Sequence, residues 1–227
     1  MLDRVARVSS GHSVRVPVYI ALLHAPMTNR RGELITTSVT NLDIHDLARS
    51  ARTYEVLNYF IVTPISDQRA LVERILGHWS TGRSQEFHPD RVEAVSRVRV
   101  VSDFSEVKAQ IKKNHGQFPE VVLTDARPLA KSVSYSDYRK ELESRAKTGS
   151  DLPQPVVIVF GTGWGIAESF YPEVHRILAP VYGPGGSSPA TDDKSAVDGF
   201  KDHSQKGYNH LSVRAAVAII LDRLFGQ

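Results

Sequence analysis

Three short stretches combine residue types and spacing that could support chemistry. The first is Phe160-Gly161-Thr162-Gly163-Trp164-Gly165, placed after the apolar run Pro155 to Phe160 and before a helical pattern. Glycines there permit a tight turn and a close backbone approach, and a following helix N-terminus offers free N–H groups, so a nucleotide-like ligand would fit. A purely structural tight turn is the plainer reading. The stretch departs from the dinucleotide fingerprint: its glycine spacing is wrong, it follows the fifth strand, and the next strand ends in Ala179-Pro180 where a ribose-binding acid would be needed. No phosphate-loop Gly-Lys-Ser/Thr occurs.

The second stretch runs from Thr40 to Tyr54. Asn41 and Asp43 are capping candidates ahead of a helix whose buried face is Ile44, Leu47, Ala48 and Ala51. His45, Arg49 and Arg52, four and three residues apart, share another face. That face is either simply solvated or a cationic grip for phosphate. The third stretch, Gly207 to Ala216, opens the last helix: Ser212 or Asn209 could cap it, while Tyr208 and His210 could stack or hydrogen-bond with a ligand.

The elements that must position these residues alternate between strand and helix. Val18 to Leu23, Tyr59 to Thr63, Arg97 to Val101, Val121 to Thr124, Val156 to Phe160 and Ile177 to Ala179 read as strands. Most are continuous apolar runs, as in a sheet covered on both faces. Helical patterns cover Asp43 to Tyr54, Asp67 to Trp79, Ser105 to Asn114, Tyr135 to Arg145 and Ala167 to Val174. In the last helix Val213, Ala216, Val217, Ile220, Leu221 and Leu224 recur at helical spacing. The alternation predicts a parallel-sheet, Rossmann-like α/β domain over residues 17–227, preceded by a basic leader at 1–16 carrying Arg4, Arg7 and Arg15. Arg127 to Ser136 is a plain connection or the edge of an active site. Tyr182 to Gly207, rich in glycine, serine, aspartate and lysine, is a loop long enough to be functional or disordered.

Composition narrows the classes. A net charge of +3 permits a polyanionic partner without demanding one. The absence of cysteine excludes disulfides, zinc ribbons and thiolate nucleophiles and makes a reducing compartment, the cytoplasm, the simpler expectation. No apolar run approaches the roughly 18 residues of a membrane span. The nine histidines lack metal-ligand spacing, so no metal is expected, and neither a Gly-x-Ser-x-Gly elbow nor a His-Glu-x-x-His helix occurs.

In this order and at these distances, the three stretches resemble the three motifs of SPOUT methyltransferases. The Asn-x-x-x-x-x-Arg segment has its counterpart in Asp43 to Arg49, the glycine-rich turn in Gly161 to Gly165, and the Ser-Leu-Asn-Val-Ser-Val segment in Tyr208 to Val213. The likeness is greatest to a small bacterial family also found fused behind the tRNA guanine-N1 methyltransferase domain. It rests on Thr37 to Asp46, Phe160 to Gly165 and Tyr208 to Arg214, within a similarity extending over residues 17–226.

That resemblance implies a C-terminal deep trefoil knot, a rare exception to the rule against knots. It implies S-adenosylmethionine bent against four segments: Leu123 and Thr124; Phe160, Gly161, Thr162, Gly163 and Gly165; Leu178 and Val181; and Asn209, His210, Leu211 and Ser212. It further implies a homodimer that transfers a methyl group to a base nitrogen or ribose oxygen of RNA, tRNA or rRNA, by aligning donor and acceptor. Arg49 is the first candidate catalytic residue, contacting a phosphate or helping to activate the acceptor; Asp43 or Asp46 could accept a proton from a base nitrogen, unless Asp43 only caps its helix. Asp43 and His210 stand where ribose methyltransferases commonly carry asparagine, and the glycine turn lacks a glutamate, which speaks against a ribose target. The alternative functions are a non-catalytic knotted scaffold for RNA or a protein partner, and a nicotinamide-dependent oxidoreductase.

Overall fold

The uninterrupted apolar runs become the strands of one parallel sheet. The computed structural model describes residues 15–147, 153–183 and 210–227. In chain order its elements are β1 (Val18–Leu23), β2 (Met27–Thr28), β3 (Leu34–Ile35), α1 (Asn41–Thr53), β4 (Tyr59–Val62), α2 (Ser66–Trp79), α3 (Arg83–Phe87), α4 (Pro89–Val95), β5 (Val98–Val101), α5 (Phe104–His115), β6 (Glu120–Leu123), α6 (Tyr135–Lys147), β7 (Val156–Phe160), a 3-10 helix (Glu168–Glu173), β8 (Arg176–Ile177) and α7 (Val213–Phe225). Six strands form a sheet in the order β5-β4-β1-β7-β6-β8, each neighbouring pair parallel.

Alternation along each strand divides the core into two layers. Ile20, Leu22, Tyr59, Ile61, Ile158 and Phe160 face α1, α2, α4, α6 and α7. Tyr19, Leu23, Phe60, Val62, Val157 and Val159 face α5 and the 3-10 helix. The expected α7 docks as its spacing dictates: Val217, Ile220, Leu221 and Leu224 are buried, each contributing roughly 1.5–3 kcal/mol.

Several expectations need correction. The segment expected to be α-helical from Ala167 to Val174 is a 3-10 helix at Glu168–Glu173, because Pro172 lacks the N–H that an α-helical interior needs. The cap of α1 is neither Asn41 nor Asp43 but Thr40, whose hydroxyl accepts from the Asp43 N–H at 3.2 Å. The short hairpin β2–β3 and the helices α3 and α4 were not among the elements read from the sequence. The last strand shortens from Ile177–Ala179 to Arg176–Ile177. Met1 to Val14 of the expected leader lie outside the described residues, as do 184–209 of the expected loop; Val16 is buried in the core.

The chain beyond β8 is held on two sides. Leu178 N–H donates to the Leu123 carbonyl at 2.9 Å, while Val133 N–H donates to Ile177 and Ala179 N–H to Val133, at 2.8 and 2.9 Å. Residues 177–179 are therefore flanked by the end of β6 and by the far end of the connection that leaves β6. The Tyr135 hydroxyl adds a bond to the Ala179 carbonyl at 2.6 Å.

Candidate active site

In parallel α/β sheets, ligands collect outside the carboxyl ends of the strands where the strand order reverses direction. Here β1 is flanked by β4, which continues the chain to one side, and by β7, which belongs to the other. The glycine turn follows β7 at this position.

Its shape is set by left-handed backbone at Gly163 (φ +60°) and Gly165 (φ +113°), conformations that side-chain-bearing residues rarely adopt. Gly161 is required for space: a Cβ there would lie 2.7 Å from Ile166 Cγ1. The β2–β3 hairpin braces the turn. Thr28 N–H donates to Gly165 O at 3.0 Å and Trp164 N–H to Thr28 O at 3.2 Å. From below, the Thr162 hydroxyl donates to the Leu23 carbonyl at 3.1 Å and hydrogen-bonds with the Thr37 hydroxyl.

Thr37 in turn meets His24 Nδ1 at 3.0 Å. His24 is wholly buried at the end of β1. Burial pushes its imidazole down to about 4, against a smaller opposing pull from the Asp43 carboxylate. The ring is therefore neutral near pH 7, and its Nε2 has no hydrogen-bond partner among the described residues. Neither His24 nor a role for Thr37 was singled out from the sequence. The available signal was a polar residue closing the apolar run of β1, where a parallel sheet places its site.

Three of the four segments expected to hold a cofactor form one rim. Thr124, after β6, donates both its N–H and its hydroxyl to the Val159 carbonyl of β7, at 3.1 and 2.9 Å. Leu178 is tied to Leu123 on the other side. Phe160 and Gly161 to Gly165 at β7, Leu123 and Thr124 at β6, and Leu178 after β8 thus lie on adjacent strand ends. The side chains of Leu123, Phe160 and Leu178 are buried and Val181 packs against the core, so these residues can offer a ligand backbone atoms and an apolar floor.

The fourth segment enters through α7. Ser212 caps that helix, accepting from Ala215 N–H at 3.2 Å, which supports the structural reading of its hydroxyl. His210 and Leu211 are exposed; Asn209 and Tyr208 lie outside the described residues. Val213 packs into the same core cluster as Phe160, Leu178 and Val181.

The two candidate catalytic residues fare differently. Asp43 is buried, and both its oxygens are engaged: Arg214 Nη1 donates to Oδ1 at 2.9 Å and the Thr40 hydroxyl to Oδ2 at 2.6 Å. Arg214 also lies 3.6 Å from Asp46. Asp43 therefore joins α1 to the first turn of α7. Arg49 is exposed and holds no ion pair among the described residues. Six residues separate the two, about 9 Å along the axis and roughly 120° around it, so one chain does not bring them together. Of the expected cationic face, Arg52 is engaged by Glu93 of α4 and His45 by Trp79 of α2.

A glycine turn opening onto this crevice, flanked by backbone-presenting strand ends and by the Arg127–Asp125 ion pair beside Gly165, defines an α/β protein with a site for a nucleotide-like cofactor. Residues 17–187 and 198–226 match the family described as SAM-dependent RNA methyltransferase, and the chain belongs to that family. It is 40% identical over 210 residues to an uncharacterized protein of Aquifex aeolicus, covering 92% of this chain and 89% of that one. It is 37% identical over 210 residues to a tRNA (guanine-N(1)-)-methyltransferase of Nitratidesulfovibrio vulgaris, covering 92% of this chain but only 42% of that protein. Among solved structures, a probable methyltransferase from Bordetella pertussis Tohama I shares the fold, with a TM-score of 0.53 at 16% identity, over 92% of this chain and 94% of that one.

The family's cofactor is S-adenosylmethionine, and the residues present suit it. Gly163 is exposed with left-handed φ, and its Cβ direction is turned toward Thr37, Thr28 and Ile35, so the exposed side of its backbone is open to a ligand. The buried imidazole beside the turn is neutral and adds no positive charge near a sulfonium.

Proposed function

We propose that the chain methylates a base nitrogen in RNA, with tRNA as the favoured class, and that it does so as a cytoplasmic homodimer whose C-terminal segment is threaded through a deep trefoil knot. The observation that carries the reading is the continuous rim formed by Thr124, Phe160 to Gly165 and Leu178 at the crevice. The tRNA class is favoured by the relative named for tRNA methylation, of which this chain spans less than half. The flanking of residues 177–179 by Leu123 and Val133 supports the threading, since a segment enclosed by the connection leaving β6 is what a knot requires.

Bound S-adenosylmethionine would supply an electrophilic methyl group. The chain's own task is alignment. Phe160 to Gly165, Leu123, Thr124, Leu178, Val181 and residues 209–212 would hold the cofactor, chiefly through backbone groups. Arg49, a permanent cation on an exposed helix face, would hold an RNA phosphate. Asp43 is better suited to positioning than to taking a proton, because Arg214 and Thr40 occupy its oxygens. A homodimer would allow Arg49 of one copy to serve the cofactor crevice of the other, which a single chain does not do for Asp43 and Arg49 together.

Isothermal titration of the native protein and of Gly163→Arg with S-adenosylmethionine tests the site. Native binding is expected, with at least a tenfold loss (about 1.4 kcal/mol) in the folded variant, and labelled-methyl transfer to a tRNA fraction should depend on Arg49. A folded, dimeric native protein that binds no S-adenosylmethionine would overturn the proposal.

A further inference from the structure

Outside the crevice, α1 and α2 enclose a surface groove of about 410 Å³ lined by Asn41, His45, Arg74, Ile75, His78 and Trp79. Trp79 in this lining is half-buried. Three imidazoles meet the indole edge-on, His45, His78 and His88, with ring centroids at 5.4, 5.7 and 6.2 Å. The Arg91 guanidinium lies over the same ring, 5.1 Å from its centroid. Arg74 at the rim, Arg91, and Arg49 one helical turn beyond His45 have no carboxylate partner among the described residues, since Glu93 is taken by Arg52. The acid that acts on His45 is Asp46, which lies 3.6 Å from Arg214.

We propose that this groove is a nucleobase-binding subsite for the RNA substrate, in which a base flanking the target stacks on the Trp79–His45 wall and Arg74 and Arg49 hold the adjoining phosphates. The proposal rests on the function proposed above. A cluster of aromatic rings set edge to face, with arginines around it, matches single-stranded nucleic acid, whose bases stack and whose phosphates seek arginine. His45 sharpens the match: its Nδ1 is buried without a hydrogen-bond partner among the described residues. Burial and Arg91 push this imidazole below its ordinary range, leaving it neutral and able to donate to or accept from a base edge.

The chain contains two tryptophans, Trp79 and Trp164, so Trp164→Phe leaves Trp79 as the only indole emitter. Titrating this variant with short single-stranded oligoadenylate and oligouridylate should quench its emission, with a salt dependence that weakens by about one phosphate contact in Arg74→Ala. In the otherwise native chain, Trp79→Leu should raise the RNA KM about tenfold while leaving the S-adenosylmethionine Kd unchanged. His45→Gln should recover more of the RNA affinity than His45→Leu. Unquenched Trp79, or a native RNA KM in a folded Trp79→Leu enzyme that still transfers methyl groups, would overturn the subsite. So would Trp79 emission that follows protein concentration rather than RNA, which would make the groove a contact between copies. If the native chain binds no S-adenosylmethionine and methylates no RNA, the proposed function fails instead, and oligonucleotide quenching of Trp79 would still report on the groove.

Discussion

Lowering the pH from 7 to 5 should destabilise this protein through His24 before it affects the carboxylates. In an unfolded chain a histidine titrates near 6.5; in the fold, burial holds His24 down to about 4. Because the folded pKa is depressed, the unfolded state takes up the proton first. The stability associated with the neutral ring is complete above about pH 6.5 and is lost as the pH falls toward 4. The full loss is about 3 kcal/mol, and about 2 kcal/mol of it falls between pH 7 and pH 5. His24 is 0% exposed, so solvent does little to screen this penalty. Urea unfolding of the native protein and of His24→Gln at both pH values isolates the effect, because the other titrating groups are common to both. The native midpoint should fall further than the variant's by roughly 1 M, for a slope of about 2 kcal/mol/M. Equal losses would refute the reasoning and mean that the imidazole reaches water or a proton-stabilising partner.

The Asp43–Arg214 pair should behave as a structural tie. Arg214→Leu leaves a buried carboxylate with only Thr40, at a cost of roughly 1–3 kcal/mol after allowing for the partial exposure of Arg214; the double variant with Asp43→Asn should regain part of this in urea unfolding. At the opposite edge of the sheet, buried Glu120 receives the Tyr138 hydroxyl at 2.9 Å and the Arg145 guanidinium through both nitrogens. Glu120→Leu should cost roughly 2–4 kcal/mol in the same assay while leaving the S-adenosylmethionine Kd unchanged, since β6 begins there and ends at the site.

Strand and helix identity was legible because both obey short-range rules. Val156 to Phe160 could only be a strand buried on both faces, and the spacing from Val213 to Leu224 could only dock one side of a helix. The glycine turn was legible as a turn, although the hairpin that braces it was not, since two-residue strands carry almost no periodic signal. Asp43 shows the other limit. Its position in α1 pointed equally to a cap and to a proton acceptor, and the deciding partner, Arg214, lies 171 residues away. His45 and Arg52 read as members of a cationic face, but α2 and α4 had to be placed before their engagement could be seen.

The buried polar links also divide the expected effects of mutation on function. His24, Thr37 and Thr162 tie the end of β1 to the glycine turn, and Thr40, Asp43 and Arg214 tie α1 to the entry of α7. Each link ties a segment proposed to hold the cofactor, the glycine turn or the entry of α7, to a distant part of the chain. None of these side chains need touch a transferring methyl group to matter. With the links made, the turn and the α7 entry are in place before a ligand arrives, and binding does not have to supply the cost of ordering them. Loosening a link should therefore weaken cofactor binding more than it slows turnover at saturating cofactor, whereas loss of an acceptor-aligning group such as Arg49 should lower turnover with cofactor affinity intact.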